Sequence, residues 1–129
     1  MGTSELTQLR RRCLLLVDEH FTDPRVGPRW LAARLYTSRR HLGRAFEGGI
    51  GVAESLAVRR LVEVVALISA QPDLPLAEIA RRSGYSSYET LRWNCHRRLT
   101  MPPSTLRALV LAGSLTAVSG PGSVDDTQA

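Results

Sequence analysis

Lysine is absent from this 129-residue chain, so all 17 of its basic side chains are arginine. A planar guanidinium fork suits phosphate and guanine edges better than an ammonium does, although codon usage in a GC-rich genome accounts for the same bias equally well. Aromatics are scarce at 5%, so a core must come from Leu, Val, Ile and Ala, a mixture that suits helices. The two cysteines, Cys13 and Cys95, fall inside helical patterns. A disulfide framework needs more of them and a secretory context, so both read as reduced core thiols. His20, His41 and His96 are scattered and make no metal-ligand spacing, so no metal and no cofactor is expected. No apolar run is long enough to cross a bilayer. Arg10-Arg11-Arg12 before Leu14-Leu15-Leu16-Val17 mimics the start of a signal peptide, but Asp18-Glu19-His20 closes the run at once. A cytoplasmic chain is therefore expected, with no membrane partner. No stretch alternates with strand period, which predicts an all-α fold.

What is present is a surplus of positive charge, +5 overall, on a chain that is 43% hydrophobic. That is enough apolar material for a compact core, and the charge favours a polyanionic partner. One motif is written twice. Trp30-Leu31-Ala32-Ala33-Arg34-Leu35-Tyr36-Thr37-Ser38-Arg39-Arg40-His41-Leu42 and Glu78-Ile79-Ala80-Arg81-Arg82-Ser83-Gly84-Tyr85-Ser86-Ser87-Tyr88-Glu89-Thr90-Leu91 each combine a short helix pattern with a buried Ala, a turn, and a second helix opening on Ser. That order is a helix-turn-helix signature, and two copies in a small basic chain point to double-stranded DNA.

The remaining pattern is helical throughout. Leu6, Leu9, Cys13, Leu16 and Val17 recur at helix spacing over residues 6–21. Thr22-Asp23-Pro24 and Gly27-Pro28 make the following turn. Ser38 caps a helix to about residue 47, with Leu42, Ala45 and Phe46 inward and Arg39, Arg40, Gly43 and Arg44 outward. Glycines at 48, 49 and 51 break it. Residues 52–70 read as a long helix that buries Leu56, Leu61, Val64, Val65 and Ile68. After the 71–75 turn, residues 76–83 form the next short helix, stopped by Gly84. Ser86 or Ser87 opens a helix to Leu99 with Leu91, Cys95 and Leu99 inward. Pro102-Pro103 starts a last helix over about 104–118, and residues 119–129 read as a disordered tail.

Ile79-Ala80-Arg81-Arg82-Ser83-Gly84-Tyr85, followed by Thr90-Leu91 and Pro102-Pro103, resembles the Ile-Ala-x-x-x-Gly-Phe signature of the AraC/XylS family of bacterial transcription regulators. Ser38-Arg39-Arg40-His41-Leu42-Gly43-Arg44-Ala45-Phe46 resembles that family's first recognition helix, and the likeness runs from about Leu9 to Arg107. In length the chain is similar to the small stand-alone members of the MarA/SoxS type. The resemblance implies about seven helices in two helix-turn-helix subdomains, 6–51 and 71–118, joined by the 52–70 linker helix. It implies a transcription activator that binds adjacent major-groove segments as a monomer at the nucleoid and contacts RNA polymerase. The chain departs from the pattern in several places. Tyr36 stands where the first turn usually has Gly, Cys95 replaces a core aromatic, and Trp93 stands where an Arg is common. Gly43 removes a reading side chain. The stretch from Gly51 to Arg60-Leu61 is a residue or two short, a difference expected to be absorbed at residues 48–51.

Arg40 and Arg44 are one turn apart and can each fork onto guanine O6 and N7, while Arg39 suits phosphate. On the second helix Glu89 can accept from cytosine N4, and Tyr88 or Trp93 can pack on a thymine methyl or a sugar. Arg92 lies on the same face, and Arg97 and Arg98 suit the DNA backbone. Two other readings stay open there: Trp93 packs against the last helix, or Trp93 and Glu89 belong to a protein interface. The latter would make the chain an anti-activator that keeps the fold but reads DNA poorly. The stripe Leu109, Val110, Leu111, Leu115 and Val118 is the face of a docked terminal helix, the lining of a small-molecule pocket, or a dimer seam. With both cysteines inward and no partner constellation, an enzyme is not expected.

Overall fold

The computed structural model describes residues 2–114. Within them the chain forms seven helices and no strand: α1 (Gly2–His20), α2 (Pro28–Arg34), α3 (Arg39–Ala45), α4 (Val52–Ala70), α5 (Leu76–Arg82), α6 (Tyr88–Leu99) and α7 (Pro103–Leu111). The last helix, expected to run to about Val118, instead stops at Leu111, where Ala112 caps it and Gly113 turns the backbone at a φ of 80°. Leu115 and Val118 of its stripe and the 119–129 tail lie outside the described residues. Of that stripe, Val110 is buried and Leu111 is exposed.

Local chemistry sets most boundaries. Gly27 caps α2 and Pro28 occupies its first turn, where a missing N–H removes no helical bond. Ser38 and Ser87 cap α3 and α6 by accepting the backbone N–H of His41 at 3.0 Å and of Thr90 at 3.2 Å. Asp23 closes the α1–α2 turn, accepting the Arg25 backbone N–H at 2.9 Å and its guanidinium at 2.7 Å. That hydrogen bonding to Arg25 holds the Asp23 carboxyl down at about 2.

The apolar residues gather into two clusters. The first unites Leu9, Cys13, Val17 and Phe21 of α1 and its end with Leu31, Leu35, Leu42, Phe46, Val52 and Leu56. The second unites Leu61, Val64, Val65 and Ile68 with Ile79, Tyr85, Leu91, Cys95, Leu106 and Val110. The long helix α4, about 28 Å from end to end, thus contributes its first two turns to one core and its remainder to the other. Between Leu56 and Leu61 it carries Arg59 and Arg60. Arg59 lies 4.0 Å over the Phe21 ring and donates to Asp18 at 3.0 Å. Arg60 donates to the carbonyls of Phe21 and Asp23 at 2.9 Å each and of Val26 at 3.3 Å. Burial pushes the Arg60 pKa below its ordinary value, yet a guanidinium stays charged at neutral pH. Arg107 of α7 grips the α4–α5 turn in the same manner, through the carbonyls of Pro72 and Leu74. Part of the arginine enrichment is therefore structural.

Candidate nucleic-acid interface

The two motifs fold onto one backbone plan. Thr37 N–H donates to Ala32 O at 3.0 Å, and Tyr85 N–H donates to Ala80 O at 3.0 Å. These bonds make Tyr36 and Gly84 equivalent, and both have positive φ, 55° and 95°. Gly84 has no alternative. A Cβ there would press into the Phe21 carbonyl oxygen, far inside van der Waals contact. Tyr36 meets no such wall and is 94% exposed, so the first turn tolerates a side chain in a conformation that usually favours glycine. Ser86 is one extra residue in the second turn, after which the Ser caps bring the two helices back into step.

Counting from those caps, the first, second, fifth and sixth positions are Arg39, Arg40, Gly43 and Arg44 on α3. On α6 they are Tyr88, Glu89, Arg92 and Trp93. The two sets of sequence-predicted residues are thus geometric equivalents. Their chemistry differs. All four on α3 are exposed, and among the described residues none of its arginines meets a carboxylate within ion-pair distance. On α6, Tyr88 is half-buried against the second core, and Arg92 stands 3.6 Å from Glu89. Trp93 is 60% exposed with the Arg97 guanidinium 5.2 Å from its ring, so it is not taken up into the packing against α7. Arg97 lies beyond the equivalent of the end of α3. Gly43 has open space around a notional Cβ, so its lack of a side chain leaves a gap on that face.

Arg10, Arg11, Arg12, Arg29 and Arg34 add further exposed charge in the first half, with Arg34 stacked on Trp30 at 4.6 Å. In the second half Arg81 and Arg82 are both held by Glu78, at 2.5 and 2.8 Å. Hydrogen bonds from Arg81 and then Arg82 lower the Glu78 carboxyl to about 2. Cys13 and Cys95 are fully buried, and desolvation pushes each thiol up to about 11, far from the reactive thiolate range. No helix among the described residues is long and apolar enough to cross a membrane.

A family model described as a helix-turn-helix domain matches residues 31–109, which span both motifs. The chain belongs to this AraC-type helix-turn-helix family. The family comprises DNA-binding domains of transcription regulators and not enzymes. Three solved structures share the fold of this AraC-type chain. The C-terminal domain of AraT, a response regulator from Geobacillus stearothermophilus, superposes with a TM-score of 0.72 at 22% identity, covering 88% of this chain and 90% of that one. The C-terminal domain of the two-component response regulator yesN from Fusobacterium nucleatum gives 0.66 at 21% identity, covering 83% and 99%. A DNA-binding transcriptional dual regulator from Escherichia coli K-12 gives 0.66 at 16% identity, covering 81% and 93%. No curated protein sequence matches the chain.

The repeated motif, the caps and the eight residues of the two equivalent faces were legible in the sequence. The carbonyl grip of Arg60 and the ion pair between Arg98 and Glu54, 2.5 Å apart, were not. The local signal for Arg60 is its place beside Arg59 in a mostly apolar helix, and Arg98, expected at the DNA backbone, is instead held by Glu54.

Proposed function

We propose that this AraC-type chain is a sequence-specific transcription regulator that lays α3 and α6 into adjacent major-groove segments as a monomer, in the cytoplasm at the nucleoid. The observation that carries the reading is the α3 face. Arg39, Arg40 and Arg44 stand exposed on the second helix of a helix-turn-helix, with no carboxylate partner among the described residues. Arg40 and Arg44 read guanine edges and Arg39 a phosphate. On α6, Glu89 and Arg92 partly neutralise one another, so that helix adds less charge, and Trp93 offers an apolar contact to a thymine methyl. The two subdomains are residues 6–51 and 71–118, with 52–70 as the linker. Activation through contact with RNA polymerase completes the proposal.

Phosphate contacts then supply most of the affinity, and base contacts select the site. Mobility-shift titrations with duplexes selected from a random pool test this. Binding is expected to weaken steeply between low and moderate salt. Failure to enrich any sequence, or a flat salt profile, overturns it. The exposed Trp93 beside an internally paired Glu89 also supports a second reading, an anti-activator that docks a protein through α6. That reading expects no sequence enrichment in the same selection.

A further inference from the structure

Two helices that read one duplex must be held at a fixed separation and angle. The shared helix α4 sets part of this by entering both apolar cores. Among the described residues each core otherwise closes within its own half, so the remaining bracing falls to contacts beside α4. An open cleft of about 290 Å³ separates the halves, lined by Pro28, Leu56, Arg60, Tyr85, Asn94 and Arg98 among others. Two contacts bridge the halves beside it. In the first, Gly84, the pivot of the second motif's turn, sits against the Phe21 carbonyl and the Arg60 side chain. A Cβ on Gly84 would come 2.8 Å from Arg60 Nε. The guanidinium that organises the α1–α2 turn through Phe21, Asp23 and Val26 is therefore wedged against the second turn as well. In the second, Arg98 of α6 donates to Glu54 at the start of α4, 2.5 Å away, in the part of that helix that belongs to the first core.

We infer that Arg60 and the Glu54–Arg98 pair are positioning residues that lock the pose of α3 relative to α6, and so determine which half-site spacing the chain accepts. The inference rests on the reading that both helices enter DNA. A planar fork that holds three carbonyls of one turn fixes direction as well as distance, which a flexible ammonium does not. Inserting one base pair moves the second half-site by about 3.4 Å and turns it by about 35°. A locked pair of helices then cannot seat both faces, whereas a loosened pair can.

The test uses the full chain and a selected duplex, with variants that carry one base pair inserted or removed between the half-sites, and a duplex that keeps only the half-site read by α3. The unaltered chain is expected to prefer its own spacing by about tenfold or more. Arg60→Met is expected to reduce that preference to about threefold or less, with affinity for the single half-site unchanged. Glu54→Gln, which removes no buried group, carries the same expectation. Retention of the full spacing preference by Glu54→Gln and by folded Arg60→Met overturns the lock. Indifference of the unaltered chain to the inserted base pair also overturns it and leaves DNA reading intact. If the unaltered chain retains no duplex at all, the reading of the interface fails and takes the lock with it.

Discussion

Tyr36 and Gly84 occupy the same backbone position, where a positive φ favours glycine at both, but only Gly84 is also walled in by a neighbouring carbonyl. At Gly84 both the positive φ and the Phe21 carbonyl oppose a side chain. Gly84→Ala is expected to destabilise the fold by about 3 kcal/mol or more. Tyr36 has nothing to lose by truncation, being 94% exposed. Tyr36→Gly is expected to stabilise by about 1 kcal/mol, through relief of the left-handed conformation. Urea midpoints of the two variants against the unaltered chain check both signs. The sequence marked the two residues as equivalent through the motif alone. It could not tell that one turn faces water and the other a carbonyl, because Phe21 is remote in the chain.

At the level of elements, helix starts and stops were the most legible feature, since Gly, Pro and Ser sit where the backbone needs them. Residues 52–70 form a helix as the apolar spacing predicts, Ser38 caps as expected, and of Ser86 and Ser87, between which the sequence did not choose, Ser87 is the cap. Ser38→Ala and Ser87→Ala should each cost about 0.5–2 kcal/mol, measured by thermal or urea unfolding. Loss at Ser38 should also weaken any binding that depends on α3, because the cap fixes where Arg39 and Arg40 begin. The ties between elements were not legible. Arg60 reaches carbonyls 34 to 39 residues away, and Arg98 reaches Glu54 across 44. Helical periodicity reports which face of an element is apolar, and it carries no information on such distant polar partners. The sequence also gave α6 the same outward face as α3. Packing divides that face: Tyr88 leans on the core while Trp93 remains in solvent.

For the molecule as a whole, three buried ionisable groups make stability sensitive to alkali. Desolvation raises Cys13 and Cys95 to about 11 and raises Tyr85 above the ordinary phenol range. Folding therefore favours the neutral form of each. Their contribution is complete below about pH 8.5, where the unfolded thiols are also protonated, and is lost as pH rises toward the folded values. The melting temperature should hold level near pH 8 and fall progressively from about pH 9 to 11. In the same range of neutral to mildly basic pH, both thiols should resist a thiol reagent until the chain unfolds. The two-core plan joined by α4 places most of the unpaired arginine in the first half, which supports the proposal that α3 chooses the site. The most direct test measures binding of the unaltered chain, Arg40→Ala, Arg44→Ala and the double variant to a selected duplex and its single-base variants. Each substitution is expected to cost about 1–3 kcal/mol at one base pair and to relax preference there. Unchanged affinity and unchanged base preference in the double variant would contradict the account, because α3 would then not lie in a groove.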